Sequence, residues 1–171
     1  ADANTAVGHG ALIAATTGGY NVSVGRTTGT ALESGQQNIF IGYSAGSGTV
    51  DVDRSIVIGS GAGAGVMDSD ADGTIAIGYE AGAAITSGGG NIAIGHQALL
   101  EHTTGTHNIA IGYGAMNDTG ANDCPTSEAN IFIGTNAGGG TWTTNDSNLN
   151  VGIGAYCMDD ALNGAIQNVA V

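Results

Sequence analysis

Short aliphatic runs, each closed by a glycine, recur along the whole chain. Asn4-Thr-Ala-Val-Gly8, Asn21-Val-Ser-Val-Gly25, Asn38-Ile-Phe-Ile-Gly42 and Ser55-Ile-Val-Ile-Gly59 are followed by five more such segments, ending at Gly78, Gly95, Gly112, Gly134 and Gly154. A tenth, Asn168-Val-Ala-Val171, stops before its glycine. The glycine-to-glycine spacings are 17, 17, 17, 19, 17, 17, 22 and 20. Each run predicts a strand by its composition and its period of two. Repetition at a nearly constant interval predicts stacked coils, none of which buries enough surface to fold alone.

Beyond each strand, a small residue such as Ala45, Ala62 or Ala98 follows the glycine by three positions. Thr17-Gly18, Ser34-Gly35, Ser87-Gly88 and Thr104-Gly105 mark a second turn, with the glycine expected to supply a positive φ. A copy therefore reads strand, glycine turn, short second strand, Ser/Thr-Gly turn. The expected fold is all-β, a parallel β-solenoid (β-roll) of nine to ten coils with about 17 residues per coil, forming a single repeat domain over 1–171. Within each run, the residues three and one before the glycine are expected to point into the coil. The middle residues Ala6, Phe40, Val57, Ala76, Ala93, Ala110 and Phe132 would then form a flat, largely apolar outer face, expected to meet another chain.

Composition sharpens this picture. Apolar residues make up 42% of the chain, yet only two Phe, one Trp and five Tyr are aromatic against 32 Gly, so the core must be a thin layer. Fifteen carboxylates face Arg26 and Arg54 with no Lys, for a formal charge of −13. Nucleic-acid binding, which needs clustered cations, is excluded, and so is a polybasic membrane contact. No apolar run is long enough to insert in a membrane. The opening Ala-Asp-Ala has no start methionine or apolar leader, so either a leader has been removed or the sequence is an excerpt.

The repeated Asn-Ile-Ala-Ile-Gly-Tyr, followed by a small residue and separated from the next copy by Thr-Thr-Gly, resembles the β-roll head repeats of trimeric autotransporter adhesins. It is also similar to repeats in bacteriophage tail fibres. The resemblance implies a parallel β-roll, a secreted, cell-surface or virion-surface setting, and adhesion or fibre building rather than catalysis.

Few residues suggest chemistry. Gly42-Tyr-Ser44-Ala-Gly46 has the spacing of a hydrolase nucleophile elbow, but Glu80, Gln97 and Asn136 take the place of Ser44 in sister copies, which marks an exposed turn position. Asp68-Ser-Asp70-Ala-Asp72-Gly73 alternates carboxylates as calcium loops do. Asp51 and Asp53 follow Gly42 by the same intervals at which Asp68 and Asp70 follow Gly59. The expectation is a Ca2+ site built from the stacked pairs Asp51/Asp68 and Asp53/Asp70 together with Asp72; the alternative is a solvated acidic turn. Tyr79, His96 and Tyr113 share one register and are expected to stack as a ring ladder or to offer a strip for glycans. Cys157 takes an alanine slot, and a disulfide to Cys124 in the longest insertion is one expectation for it.

Three function classes compete. A non-enzymatic extracellular fibre subunit would stack head to tail through open solenoid ends, using Asn168, Val169 and Val171 at one junction. An adhesin head or tail-fibre segment would act as a homotrimeric receptor-binding module. A solenoid enzyme would need acid and base residues gathered on one face, and only the Asp cluster comes near that. The fibre subunit is the leading expectation, with the chain itself as partner.

Overall fold

The computed structural model describes residues 3–118, 126–142, 145–160 and 162–171. It is an all-β parallel solenoid. Nine three-residue strands, β1 (Thr5–Val7), β2 (Val22–Val24), β3 (Ile39–Ile41), β4 (Ile56–Ile58), β5 (Ile75–Ile77), β6 (Ile92–Ile94), β7 (Ile109–Ile111), β8 (Ile131–Ile133) and β9 (Val151–Ile153), are followed by β10 (Val169–Ala170). They form one parallel sheet in sequence order, each residue paired with its equivalent one coil on, as Ile75 is with Ile92. Nine steps of about 4.8 Å make a rod about 43 Å long. The expected second strand is not formed among the described residues. The rest of each coil is a stack of turns, and hydrogen bonds such as Thr27 N–H to His9 O (2.9 Å) and Gly29 N–H to Ala45 O (3.0 Å) join one coil to the next. A 3-10 turn, Ser69–Ala71, the one such turn among the described residues, occupies the insertion before β5.

The alternation within the strands is the reverse of the sequence expectation. The middle residues Phe40, Val57, Ala76, Ala93, Ala110 and Phe132 are fully buried and form the core. The flanking Ile and Val residues point outward, most of them half-buried, with Ile41 at 38% exposure and Ile153 at 41%. Ala6 is exposed, because among the described residues no coil lies against the outer edge of β1. The physical reason lies one step before the strand. Asn21, Asn38, Asn91, Asn108, Asn130 and Asn150 are completely buried. Period-two geometry then places the residue two after each Asn on the same inner face and sends both isoleucines out.

The interior is narrow, and its volume is shared between the strand and the following turn. Where the strand supplies Phe40 or Phe132, the nearby turn supplies Gly46 or Gly138, whose added Cβ would lie 2.8 Å from the ring. Where the strand supplies Ala93 or Ala110, Leu99 or Met116 takes the corresponding turn position and is fully buried. Gly152 in β9 opens room for Phe132, which meets Trp142 edge-on at 5.8 Å. The Ser/Thr-Gly pairs also work by close approach. Gly18, Gly35, Gly88 and Gly105 are not in the positive-φ region that the sequence suggested. A Cβ on Gly88 would instead come within 2.3 Å of Gly105 O in the next coil.

His102 fills the core beneath β7, with its Nε2 3.0 Å from Asn108 Nδ2. Burial pushes its pKa down to about 4, against smaller opposing effects of the Gly105 carbonyl and Asp146. The unfolded chain takes up a proton near pH 6.5 that the folded chain refuses. This contribution to stability is therefore complete above pH 6.5, falls with pH, and levels off below about 4. The expected loss across that window is about 3 kcal/mol. Urea titrations at several pH values should show it, and His102→Gln should flatten that part of the profile.

Candidate functional site

Three side-chain columns run along the rod, one inside and two outside. The inner one is an asparagine ladder. The Oδ1 of Asn108 accepts from Asn130 N–H (3.0 Å) and Asn130 Nδ2 (3.1 Å), while Asn108 Nδ2 donates to Ser127 O at 2.9 Å. Its own N–H donates to Asn91 Oδ1 at 2.8 Å. The same pattern joins Asn21 to Asn38, Asn130 to Asn150 and Asn150 to Asn168. Ser55 and Thr74 take two rungs; Thr74 N–H donates to Ser55 Oγ, and the Thr74 hydroxyl turns to Ala71 O. The sequence carried a signal for this ladder: Asn, a residue disfavoured in strands, begins eight of the ten copies. Its polar atoms are satisfied inside the coil, which is why the ladder can be buried.

The first outer column is aromatic and confirms the stacking expected of Tyr79, His96 and Tyr113. Their ring centroids are 5.0 and 4.9 Å apart, with interplanar angles of 25° and 14°. Further along the same register, Arg26 lies 5.7 Å from the Tyr43 ring centroid. Within the ladder the rings face each other, so His96 offers solvent its edge. Beside the column runs a row of left-handed residues: Thr27 meets Ser44 at 3.0 Å, and Gln97 Nε2 donates to Glu80 at 2.9 Å. Hydrogen bonds from Gln97 and then Tyr79 hold the Glu80 carboxyl below its ordinary range, and the same contact raises Tyr79. Ser44 thus sits in a turn against a threonine, not on a strand-to-helix elbow. A shallow cleft lined by Gly61, Ala64, Glu80, Ala83, Ala84, Leu100 and Glu101 opens nearby; burial, then Asp118, raises the Glu101 pKa.

The second outer column is the pair of aliphatic rows described above, mostly half-buried along the sheet face.

One of the two expected aspartate pairs is shifted, while Val50 N–H to Met67 O (3.0 Å) keeps the 17-residue register just before Asp51 and Asp68. The two extra residues before β5 shift the register, so Asp53 pairs with Asp72 and not with Asp70. Asp53 N–H donates to Asp72 Oδ1 at 2.7 Å, and Gln36 N–H donates to Asp53 Oδ1 at 2.7 Å. Arg54 forms a 3.0 Å ion pair with the other Asp72 oxygen. Asp68 caps the 3-10 turn by accepting from Asp70 N–H. Asp51 is half-buried, and its Oδ1 has no hydrogen-bond partner. Among the described residues no three His, Cys, Asp or Glu side chains form a group that could hold a metal. Cys157 is half-buried, while Cys124 and therefore the expected disulfide lie outside the described residues. No helix among the described residues is long and apolar enough to cross a membrane.

Compared with known protein families, curated proteins and solved structures, the chain matches none.

Proposed function

We propose that this chain is a non-enzymatic structural subunit that assembles head to tail into an extracellular filament. One observation carries the reading: each coil joins the next through the same in-register strand and asparagine ladders, so a coil of one copy has the shape and the hydrogen-bonding groups to stack on a coil of another. Among the described residues β1 pairs with β2 and β10 with β9, each on one edge. Asn168 donates its N–H and Nδ2 to Asn150 Oδ1, as interior rungs do to theirs. Its own Oδ1 is the acceptor that the next rung uses elsewhere in the ladder. At the other end Asn4 Oδ1 accepts from Asn21 N–H; in interior rungs the asparagine N–H donates to the preceding asparagine, the contact that a stacked copy would supply to Asn4. Stacking one copy's β1 on another's β10 extends both the strand ladder and the asparagine ladder, a heterologous contact that does not close. The reading needs no metal, and the resemblance to surface-fibre repeats supports the extracellular setting.

The test follows from the inverted alternation. Val169 and Val171 point outward, at 73% and 94% exposure, so Ala170 is the residue that faces the junction core. Ala170→Asp should abolish the filaments seen by electron microscopy, while circular dichroism and melting stay close to the parent's. A mutant that forms filaments as readily as the parent overturns head-to-tail stacking. The exposed ring ladder favours a second reading, an adhesin head or tail-fibre segment working as a glycan-binding trimer. Discrete short trimers in the same images would select it.

A further inference from the structure

We infer that the cleft between Glu80 and Glu101 is a binding site for a linear aliphatic polyamine, with an ammonium at each carboxylate and the methylene chain along the apolar wall between them. Such a site serves a filament or a single subunit alike.

The cleft is built by a change of residue size from coil to coil. Two residues beyond the strand glycine stand Gly61, Glu80 and Gln97 in successive coils; five beyond it stand Ala64, Ala83 and Leu100. Six beyond it, Gly65 and Ala84 give way to Glu101 and Asp118. These positions stack, as the bond from Ala84 N–H to Leu100 O (3.1 Å) shows. Small residues in the coils of β4 and β5 thus lie against longer side chains in the coils of β6 and β7. The step leaves a recess of about 450 Å³, open to solvent. That volume falls within the range of small-ligand sites.

The chemistry of the walls selects the ligand. Ala64, Ala83, Ala84 and Leu100 are apolar, and the two polar side chains are both acidic. No lining side chain carries a positive charge, so anions are turned away. No ring lies in the wall, so the flat face of a sugar or an aromatic cation has nothing to stack on. A compact divalent ion needs several oxygens converging on one point, and no three acidic, His or Cys side chains gather in that way among the described residues. An aliphatic chain with charged ends meets both demands, since its methylenes cover the apolar wall while its ammonium groups donate to the carboxylates.

The two carboxylates are prepared differently. Gln97 Nε2 donates to Glu80 at 2.9 Å, and this bond, with a second from Tyr79, favours the ionised carboxylate. Glu101 lies beside Asp118, which the Thr141 hydroxyl holds in place. The Oε2 of Glu101 is buried and has no hydrogen-bond partner. Its pKa is raised by burial and then by Asp118. An acceptor without a donor, beside a second carboxylate, gains directly from an arriving ammonium. The net charge of −13 draws polycations towards the chain before contact.

The experiment is equilibrium dialysis of the parent against labelled spermidine at neutral pH in physiological salt. Saturable binding of one spermidine per chain is expected. Glu80→Gln and Glu101→Gln should each weaken it by about tenfold. Ala83→Leu, which fills the apolar wall without changing charge, should weaken it as well. Glu33→Gln makes the same change of charge on an exposed turn outside the cleft and should leave the affinity within about twofold. Circular dichroism and melting check the fold of each variant; the Gln substitutions preserve side-chain shape and carry the comparison should Ala83→Leu disturb it. Putrescine should displace spermidine from the parent more effectively than Mg2+ at equal concentration. Absence of saturable binding, or unchanged affinity in both Gln variants, overturns the site. Equal weakening by Glu33→Gln reduces the binding to general attraction by an acidic surface and overturns it too. Displacement by Mg2+ as effective as that by putrescine overturns the assignment to polyamines.

Discussion

Gly95→Ala is expected to destabilise the solenoid by about 4 kcal/mol, lowering the melting temperature by about 10 °C. Gly95 has φ +136°, in a region essentially reserved for glycine, and a Cβ there would come within 2.2 Å of Gly112 O. The clash is with backbone of the next coil, so no side chain can swing away to relieve it. The neighbouring coil must move, and with it the ladder bond from Gly112 N–H to Ile94 O, 2.8 Å long. The same geometry recurs at Gly59 and Gly78, where the added Cβ would meet the next glycine's oxygen at 2.2 and 2.3 Å. Gly73→Ala supplies the contrast: φ is +73° and nothing lies within 4 Å of the added Cβ. That substitution should cost about 1 kcal/mol, from backbone strain alone. Differential scanning calorimetry of the two variants checks both values. Equal shifts would show that the glycine column is kept for conformational freedom and not for close approach between coils.

The second large effect is expected at Asn108→Ala, again about 4 kcal/mol, measured by chemical denaturation. The substitution leaves Ser127 O without the amide that it accepts from and Asn130 N–H without its acceptor. Each stranded buried group costs about 1–3 kcal/mol, and the loss of the amide contacts with Asn91 and Asn130 adds to that. Asn108→Asp should be worse at neutral pH, because it places a buried charge and sets one acceptor against the Ser127 carbonyl. At the end of the ladder, where Asn168 is exposed, Asn168→Ala should cost only about 1 kcal/mol. A flat profile from centre to end would mean that the rungs act independently of burial.

Much of this architecture was legible without coordinates. The spacing of Gly8 through Gly154 sets the coil and the parallel order of the strands, because only in-register stacking lets one short pattern bury itself repeatedly. The shared register of Tyr79, His96 and Tyr113 predicts their stacking for the same reason. Ser44 reads as a turn because its counterparts Glu80, Gln97 and Asn136 are unrelated in chemistry. In each case, equivalent positions in successive coils become neighbours in space, so comparing copies amounts to reading contacts.

Which face of the strand turns inward was beyond that comparison. Ile75-Ala76-Ile77 alternates equally well in either sense, and hydrophobicity alone favours burying the two isoleucines. Asn91 and its equivalents decide the matter, since an amide can be buried only where carbonyls of the next coil meet it, as Gly105 O does at 2.7 Å. Those partners come from a different turn, fourteen residues ahead in sequence. The aspartates show the same limit on a smaller scale. Counting from the preceding glycine sets Asp53 over Asp70, but the 3-10 turn at Ser69–Ala71 absorbs two residues and brings Asp72 into that place. The sequence by itself determined the period, the strand that opens each coil and the registers of equivalent residues, because these depend only on residues recurring at equal intervals. The tertiary structure alone decided the inner and outer faces and the partner of each carboxylate, because these depend on which backbone groups closure of the coil brings within hydrogen-bonding distance.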